Sequence, residues 1–315
     1  MGLVQFLIFG LEKGSYIAIA TIGFSLIYGI VDMINFAYGE YMTFGGYVGF
    51  FIAVTLGLNV WVALLGVFVV SAVAGWGVSR ATFTPIHDYG PIPLLLTSIG
   101  LGVALRNVYR FGFGVERQFV PLNFVVLPSK TFRIDAGFLN FFVTTKILLV
   151  MAIAAVTLVG IHLLLTRTNL GIAMRATASN ESLAQLSGIR SHNIRQYTWL
   201  LASGLAGVSG LMIGAVGEVS PILGLEFILV VLASAILGGV GSVYGGFAGA
   251  YVLGITIALA AAGFAPILEL IPVVGEWLLP IGELVAPLSR QISFLVLILV
   301  LLLKPSGIAG TEVET

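Results

Sequence analysis

Phe294-Leu-Val-Leu-Ile-Leu-Val-Leu-Leu-Leu303 is a run of ten apolar side chains with no polar residue at any spacing. A strand of a membrane barrel alternates lipid-facing and lumen-facing residues, so a run that is apolar at every position reads as a helix with hydrophobic sides all round. Extended to Gln291, the charge-free stretch has 13 residues, about 20 Å of helix at 1.5 Å per residue. It must borrow the preceding turn or sit thin between Arg290 and Lys304.

The same reading extends over the rest of the chain. A hydrocarbon core about 30 Å thick needs about 20 mostly apolar residues as a helix. Gly14 to Val31, Tyr89 to Leu105, Ile147 to Thr166 and Gln196 to Gly217 are charge-free over 18, 17, 20 and 22 residues, and each suits one span. Tyr41 to Ser79 and Phe227 to Leu268, at 39 and 42 residues, suit two spans each and contain turn material at Gly57-Leu-Asn59 and Gly238-Gly-Val-Gly-Ser242. With the closing run, the expected architecture is an all-α, polytopic bundle of eight to nine transmembrane helices, forming one membrane domain over 1–315.

Composition agrees. Of 315 residues 59% are hydrophobic and 9% charged, against roughly 25% charged in soluble domains. Mean hydropathy is +1.11. A water-exposed enzyme or nucleic-acid binder is excluded, and zero net charge gives no sign of polyanion binding. The absence of cysteine excludes disulfides, iron-sulfur clusters and thiolate metal sites. The N-terminus lacks the basic start and small-residue cleavage site of a signal peptide, its first cation being Lys13, and is expected to stay attached.

Two polar excursions interrupt the spans. The first, 111–146, mixes charges with apolar patches. The second, Arg167 to Arg195, carries four arginines against Glu181, a net +3 over 29 residues. The tendency of basic loops to stay inside places the second in the cytoplasm. With nine spans, alternation then puts the N-terminus and 111–146 outside and Lys304 inside. Since the first loop is also basic, other arrangements stay open.

Enzymatic readings are weak. Gly207-Val-Ser-Gly210 matches the context of an intramembrane serine protease, but His87, His162 and His192 all precede Ser209, and close helix packing explains the small residues. No His-Glu-x-x-His occurs, and none of the four lysines follows glycine as a phosphate-binding loop requires. Any ATP chemistry belongs to another chain. Gly45-Gly-Tyr-Val-Gly49 and Gly245-Gly-Phe-Ala-Gly249 echo one another, each with the spacing that lets helix backbones approach. Glu269, Glu276 and Glu283, interrupted by Pro272, Pro280 and Pro287, read as short interfacial pieces.

Charged or polar residues beside membrane spans carry a functional hypothesis by default. Asp32, Asn35 and Glu40 flank one break between apolar runs, and Glu218 with Glu226 flank another at Val219-Ser-Pro-Ile-Leu-Gly-Leu225. Discontinuous helices of this kind pass polar substrates in many transporters, and an interfacial turn uses the same residues. A self-sufficient secondary transporter or channel for a small polar solute therefore stands as an alternative function.

The second loop is more specific. Ser179 or Asn180 can cap a short helix with Leu183, Leu186 and Ile189 three apart, closed by Gly188. Its apolar stripe needs a partner, either a soluble protein or the membrane and bundle surface.

Here the residues carry a resemblance. Arg167-Thr-x-x-Gly171, Arg175-Ala176 and Ala184-x-Leu186-x-Gly188-Ile189 resemble the coupling loop of ABC importer permeases, in the version found in branched-chain amino acid permeases of the LivH/LivM family. Gly29-Ile-Val-Asp-Met-Ile-Asn-Phe-Ala-Tyr-Gly-Glu40, Leu237-Gly-Gly-Val-Gly-Ser-Val-Tyr-Gly-Gly246 and Lys304-Pro-Ser-Gly-Ile-Ala-Gly310 match the same family, closer to the LivH partner. Tyr38 and Ser242 fall in these segments and join Asp32, Asn35, Glu40 and Glu226 as candidates for a translocation path. The resemblance implies a non-catalytic permease in a prokaryotic inner membrane. Its partners would be a second permease, LivM-like or another copy of itself, two cytoplasmic ATPases and an external solute-binding protein. It implies no cofactor on this chain, ATP and Mg belonging to the ATPases. Branched-chain or related amino acids are the implied substrates, with urea or short amides possible within the family. Many members have His where this chain has Tyr38 and acidic residues near positions 179 and 180, which suggests ATPase contacts fitted to a different partner.

Overall fold

The computed structural model describes residues 3–120, 130–136, 139–263, 286–304 and 307–308. Every charge-free stretch picked out in the sequence holds a helix within these limits. Helix α1 (Leu3–Val31) begins eleven residues before Gly14 and carries Glu12 and Lys13 inside it. Lys13 is accommodated because it opens on a polar cavity rather than on lipid. Tyr41 to Ser79, expected to hold two spans, divides into α2 (Tyr38–Phe50), which widens into a π-turn over Phe51–Thr55, and α3 (Val60–Thr82), of which only α3 is long and apolar enough to cross a membrane. Gly57 takes a φ of +63° in the turn, and the Asn59 side chain caps α3 by accepting from the Val62 amide at 2.9 Å.

Helix α4 (Pro91–Phe113) continues past Leu105 through Arg106 and Arg110. An antiparallel hairpin, β1 (Thr131–Ala136) and β2 (Leu139–Thr144), follows; among the described residues the other regular elements are helices. Gln5 fastens the hairpin to α1, accepting from the Phe142 amide at 2.8 Å and donating to its carbonyl at 3.2 Å. Then come α5 (Thr145–Arg167), α6 (Asn169–Ser179), α7 (Glu181–Leu186), α8 (Ser191–Val216), α9 (Leu223–Gly238), α10 (Val243–Ala261) and α11 (Ser289–Leu303). Helix α11 does borrow the turn before it, gaining Ser289 and Arg290. Among the described residues six helices (α1, α3, α4, α5, α8 and α10) are long and apolar enough to cross a membrane, while α9 and the apolar run of α11 are shorter. Glu269, Glu276 and Glu283 lie outside the described residues.

Two helices form the centre. The most apolar windows of α1 and α8 are 89% and 83% buried, against 22% for α4 and α5. The outer helices accordingly present Leu65, Val69, Leu96, Val103, Val156 and Val159 outward, the surface a bilayer covers. With lipid on the outside as apolar as the core, close backbone approach rather than hydrophobic exclusion must hold helices together. A side chain on Gly45 would overlap the backbone of Gly207, and one on Gly238 that of Gly245. Both echoed glycine motifs thus serve packing, the first of α2 on α8 and the second of α10 on α9.

Helices α1 and α10 are antiparallel, Gly10 lying against Ile255 and Gly29 near Gly241. Helix α8 is also antiparallel to α1, with Gly23 against Ala202 and Tyr16 bonded to Ser209. One end of the bundle therefore gathers Val31, the 3₁₀ turn Thr84–Tyr89, α6, α7 and Ile308, whose amide donates to the Leu237 carbonyl at 2.8 Å. The other end holds Leu3, the hairpin and the α8–α9 connection. These are called here the α7 end and the hairpin end.

Candidate functional site

At the α7 end, Thr168 turns the chain sharply between α5 and α6 by accepting from the Gly171 amide at 3.0 Å. Gly171 lies so close to Leu164 and Leu165 that a side chain there would overlap them. Arg175 and Ala176 belong to α6, which runs to Ser179, and Asn180 is the residue that caps α7, accepting from the Leu183 amide at 2.9 Å. Gly188 at φ +84° ends α7, and the Ile189 amide returns to the Ala184 carbonyl at 3.0 Å. The stripe of three splits: Ile189 packs on the core, whereas Leu183 and Leu186 are 61% and 86% exposed. Buried Ala184 and an ion pair from Glu181 to Arg195 at the start of α8 hold the helix down. Arg167, Arg175 and Arg190, on the segments before and after it, are exposed. The result is a short, doubly capped helix presenting two leucines within a loop that also exposes three arginines.

The first helix break is closely built. Asp32 adopts φ +54° and ends α1, and the Asn35 side chain accepts from the Ala37 amide at 3.0 Å to turn the chain into α2. Tyr38 is fully buried, its hydroxyl donating to the carbonyls of Ala20 and Ala202 at 2.9 and 3.1 Å and so tying α2 to α1 and α8. Glu40 accepts from Arg106 Nη2 and Nε at 2.7 and 3.1 Å, both on Oε1. This pairing explains how α4 carries an arginine within an apolar helix. Glu40 Oε2 and Asn35 Nδ2, both buried, have no hydrogen-bond partner among the described residues.

The second break lies at the hairpin end. A strap, 118–120, pairs with the α8–α9 connection: Gln118 and Val219 exchange backbone bonds at 2.8 and 2.7 Å, and the Val120 amide donates to the Gly214 carbonyl at 3.1 Å. This register sets Arg117 beside Glu218, 2.9 Å apart. Beneath them a cavity of about 420 Å³ is lined by Lys13, Tyr16, Arg117, Glu218, Glu226 and Phe227, among others. Of these only Glu218 and Glu226 stand out in the sequence as flanks of a break. Lys13, a single cation inside an apolar helix, was the available signal for the rest.

Other candidates have structural explanations. Ser209 Oγ donates to the Tyr16 carbonyl at 2.7 Å and is completely buried. Ser242 caps α10, accepting from the Gly245 amide at 3.1 Å. His162 Nδ1 lies 2.8 Å from the Tyr244 hydroxyl. No cluster of metal-ligating side chains occurs among the described residues. Asp32, Asn35, Tyr38 and Glu40 thus share one break, Glu226 lies at the other, and Ser242 sits in the α9–α10 turn.

Residues 6–301 match the family described as branched-chain amino acid transport system / permease component. The chain is 30% identical to the high-affinity branched-chain amino acid transport system permease protein BraD of Pseudomonas aeruginosa, over 99% of this chain and 97% of BraD. It is 29% identical to LivH of Escherichia coli K12, covering 97% and 95% of the two chains, and 28% identical to the probable LivH of Methanocaldococcus jannaschii, covering 94% and 89%. A solved structure, PsaBC from Streptococcus pneumoniae in complex with Fab, aligns over 92% of this chain and 90% of its own at 18% identity and a TM-score of 0.44. A multi-pass helical bundle matched over nearly its whole length in this way belongs to the branched-chain amino acid transport permease family.

Proposed function

We propose that this chain is the permease subunit of an ABC importer that moves branched-chain or related amino acids inward, driven by ATPases on other chains. The observation that carries the coupling is α7. A membrane bundle that exposes Leu183 and Leu186 on a rigidly capped helix, within a loop that also exposes three arginines, offers a docking knob, and two ATPase subunits are its partners. The α7 end then faces the cytoplasm of a prokaryote, the N-terminus outside and the C-terminal segment inside, with a solute-binding protein delivering substrate at the hairpin end and a second permease alongside.

Work enters through α7 and leaves through α8. Glu181 ties α7 to the base of α8 through Arg195, and α8 runs through the core against α1, α2 and α3 to the α8–α9 break. Moving such an element from 1:99 to 99:1 takes about 5.5 kcal/mol of differential interaction, within reach of nucleotide binding and hydrolysis. The test is ATP-dependent leucine uptake by the assembled complex in proteoliposomes. Leu183→Asp with Leu186→Asp, both at exposed positions, should lower uptake at least tenfold while the permease still inserts and folds; undiminished uptake would remove α7 as the coupling element.

A further inference from the structure

The cavity at the hairpin end combines features that ordinary helix packing does not require. It lies between α1, the α8–α9 break and the first turns of α9, and at about 420 Å³ it falls within the range of small-molecule sites. Two cations, Lys13 and Arg117, and two carboxylates, Glu218 and Glu226, line it. Lys13 sits ten residues into α1 from Leu3, about 15 Å along the axis, so the cavity carries charge well into the depth of the bundle. Four ionisable side chains cannot face hydrocarbon; the cavity therefore opens to water. Part of its remaining wall is apolar: Tyr16 meets Phe227 edge to face at 5.8 Å between ring centres, and Ile213 and Leu223 also line it.

We infer that this cavity is a way-station for the zwitterionic head group of an α-amino acid, its carboxylate received by Lys13 and Arg117, its ammonium by Glu218 and Glu226, and its side chain by the Tyr16 and Phe227 wall. The inference rests on the permease reading and adds where and how that permease recognises substrate. A wall of both signs with no net charge favours a ligand that also carries both signs. A solute bearing one charge that displaced Arg117 from Glu218 would match one of the two and leave the other uncompensated. The ion pair of Arg117 with Glu218 is the movable part, since Arg117 is 68% exposed and hangs on the 118–120 strap, so a head group can exchange for it without disturbing the core.

The test is binding to the full chain in nanodiscs, followed by ligand-observed NMR with three probes: L-leucine, its amide, which keeps only the cation, and 4-methylpentanoate, which keeps only the anion. Leucine should bind about tenfold more tightly than either probe. Arg117→Gln, at an exposed position, and Glu226→Gln should each weaken leucine at least fivefold and narrow its lead over the probe that keeps the other charge. Equal binding of all three, or unchanged leucine binding in both variants, would overturn the assignment. ATP-driven leucine uptake by the unmodified complex separates the two claims. Uptake without head-group discrimination at the cavity sinks only the way-station, and absence of amino acid uptake sinks the permease reading itself.

Discussion

Gly45 shows how little room separates the central helices. Any side chain there meets the backbone of Gly207, so Gly45→Val should prevent α2 from seating on α8. The expected outcome is loss of monodisperse protein on gel filtration in detergent, whereas Gly77→Ala, with nothing near it, should leave the elution unchanged. The ion pair of Glu40 with Arg106 makes a second demand. Removing one member of a buried pair leaves an uncompensated charge, which costs about 3–5 kcal/mol, so Arg106→Leu should lower the thermal midpoint sharply. Glu40→Gln with Arg106→Leu together should recover part of the loss. A third concerns His87 in the turn after α3. Burial, and then the nearby Arg195 cation, lower its imidazole below the ordinary value. The unfolded chain takes up that proton first as pH falls, so stability should decline as pH drops through about 6.5, the unperturbed value. A midpoint measured at pH 5.5 and 7.5 should differ less in His87→Gln than in the parent. Glycine spacing made the close packing legible in the sequence. The partner of Glu40 was not, because the two charges are 66 positions apart with the whole of α3 between them.

Elements were read more successfully than contacts, for a physical reason. Helix caps and breaks are encoded by neighbours: Asn59, Asn180, Gly188 and Ser242 each act on amides or carbonyls within five residues. The hairpin and the 118–120 strap depend on pairing with α1 and with Val219, which no local pattern announces. Helix α1 came out longer than its charge-free core because a charge-counting rule assumes lipid on every side, and Lys13 meets a cavity instead. For α7 the cap is the testable feature. Asn180→Ala removes the acceptor for the Leu183 amide, a loss of about 1 kcal/mol in typical hosts. The amides of α7 should then exchange with deuterium severalfold faster, with those of α8 unaffected.

At the scale of the whole molecule, the antiparallel packing of α1, α8 and α10 sorts the chain into two unlike ends. The α7 end has short capped helices, exposed arginines and two bare leucines; the hairpin end has a mixed-charge cavity beneath a strap. The proposed function assigns force to one of these ends and solute to the other. The absence of cysteine from the sequence gives direct access to that division. Leu186→Cys at the α7 end and Leu56→Cys in the turn before α3 each introduce one thiol at an exposed position. With the permease assembled beside its ATPases, a short thiol-to-amine cross-linker should join L186C to an ATPase subunit, in a yield that changes when nucleotide is added, while L56C gives no such product. Equal capture of the ATPase from both positions, or none from L186C, would contradict the account.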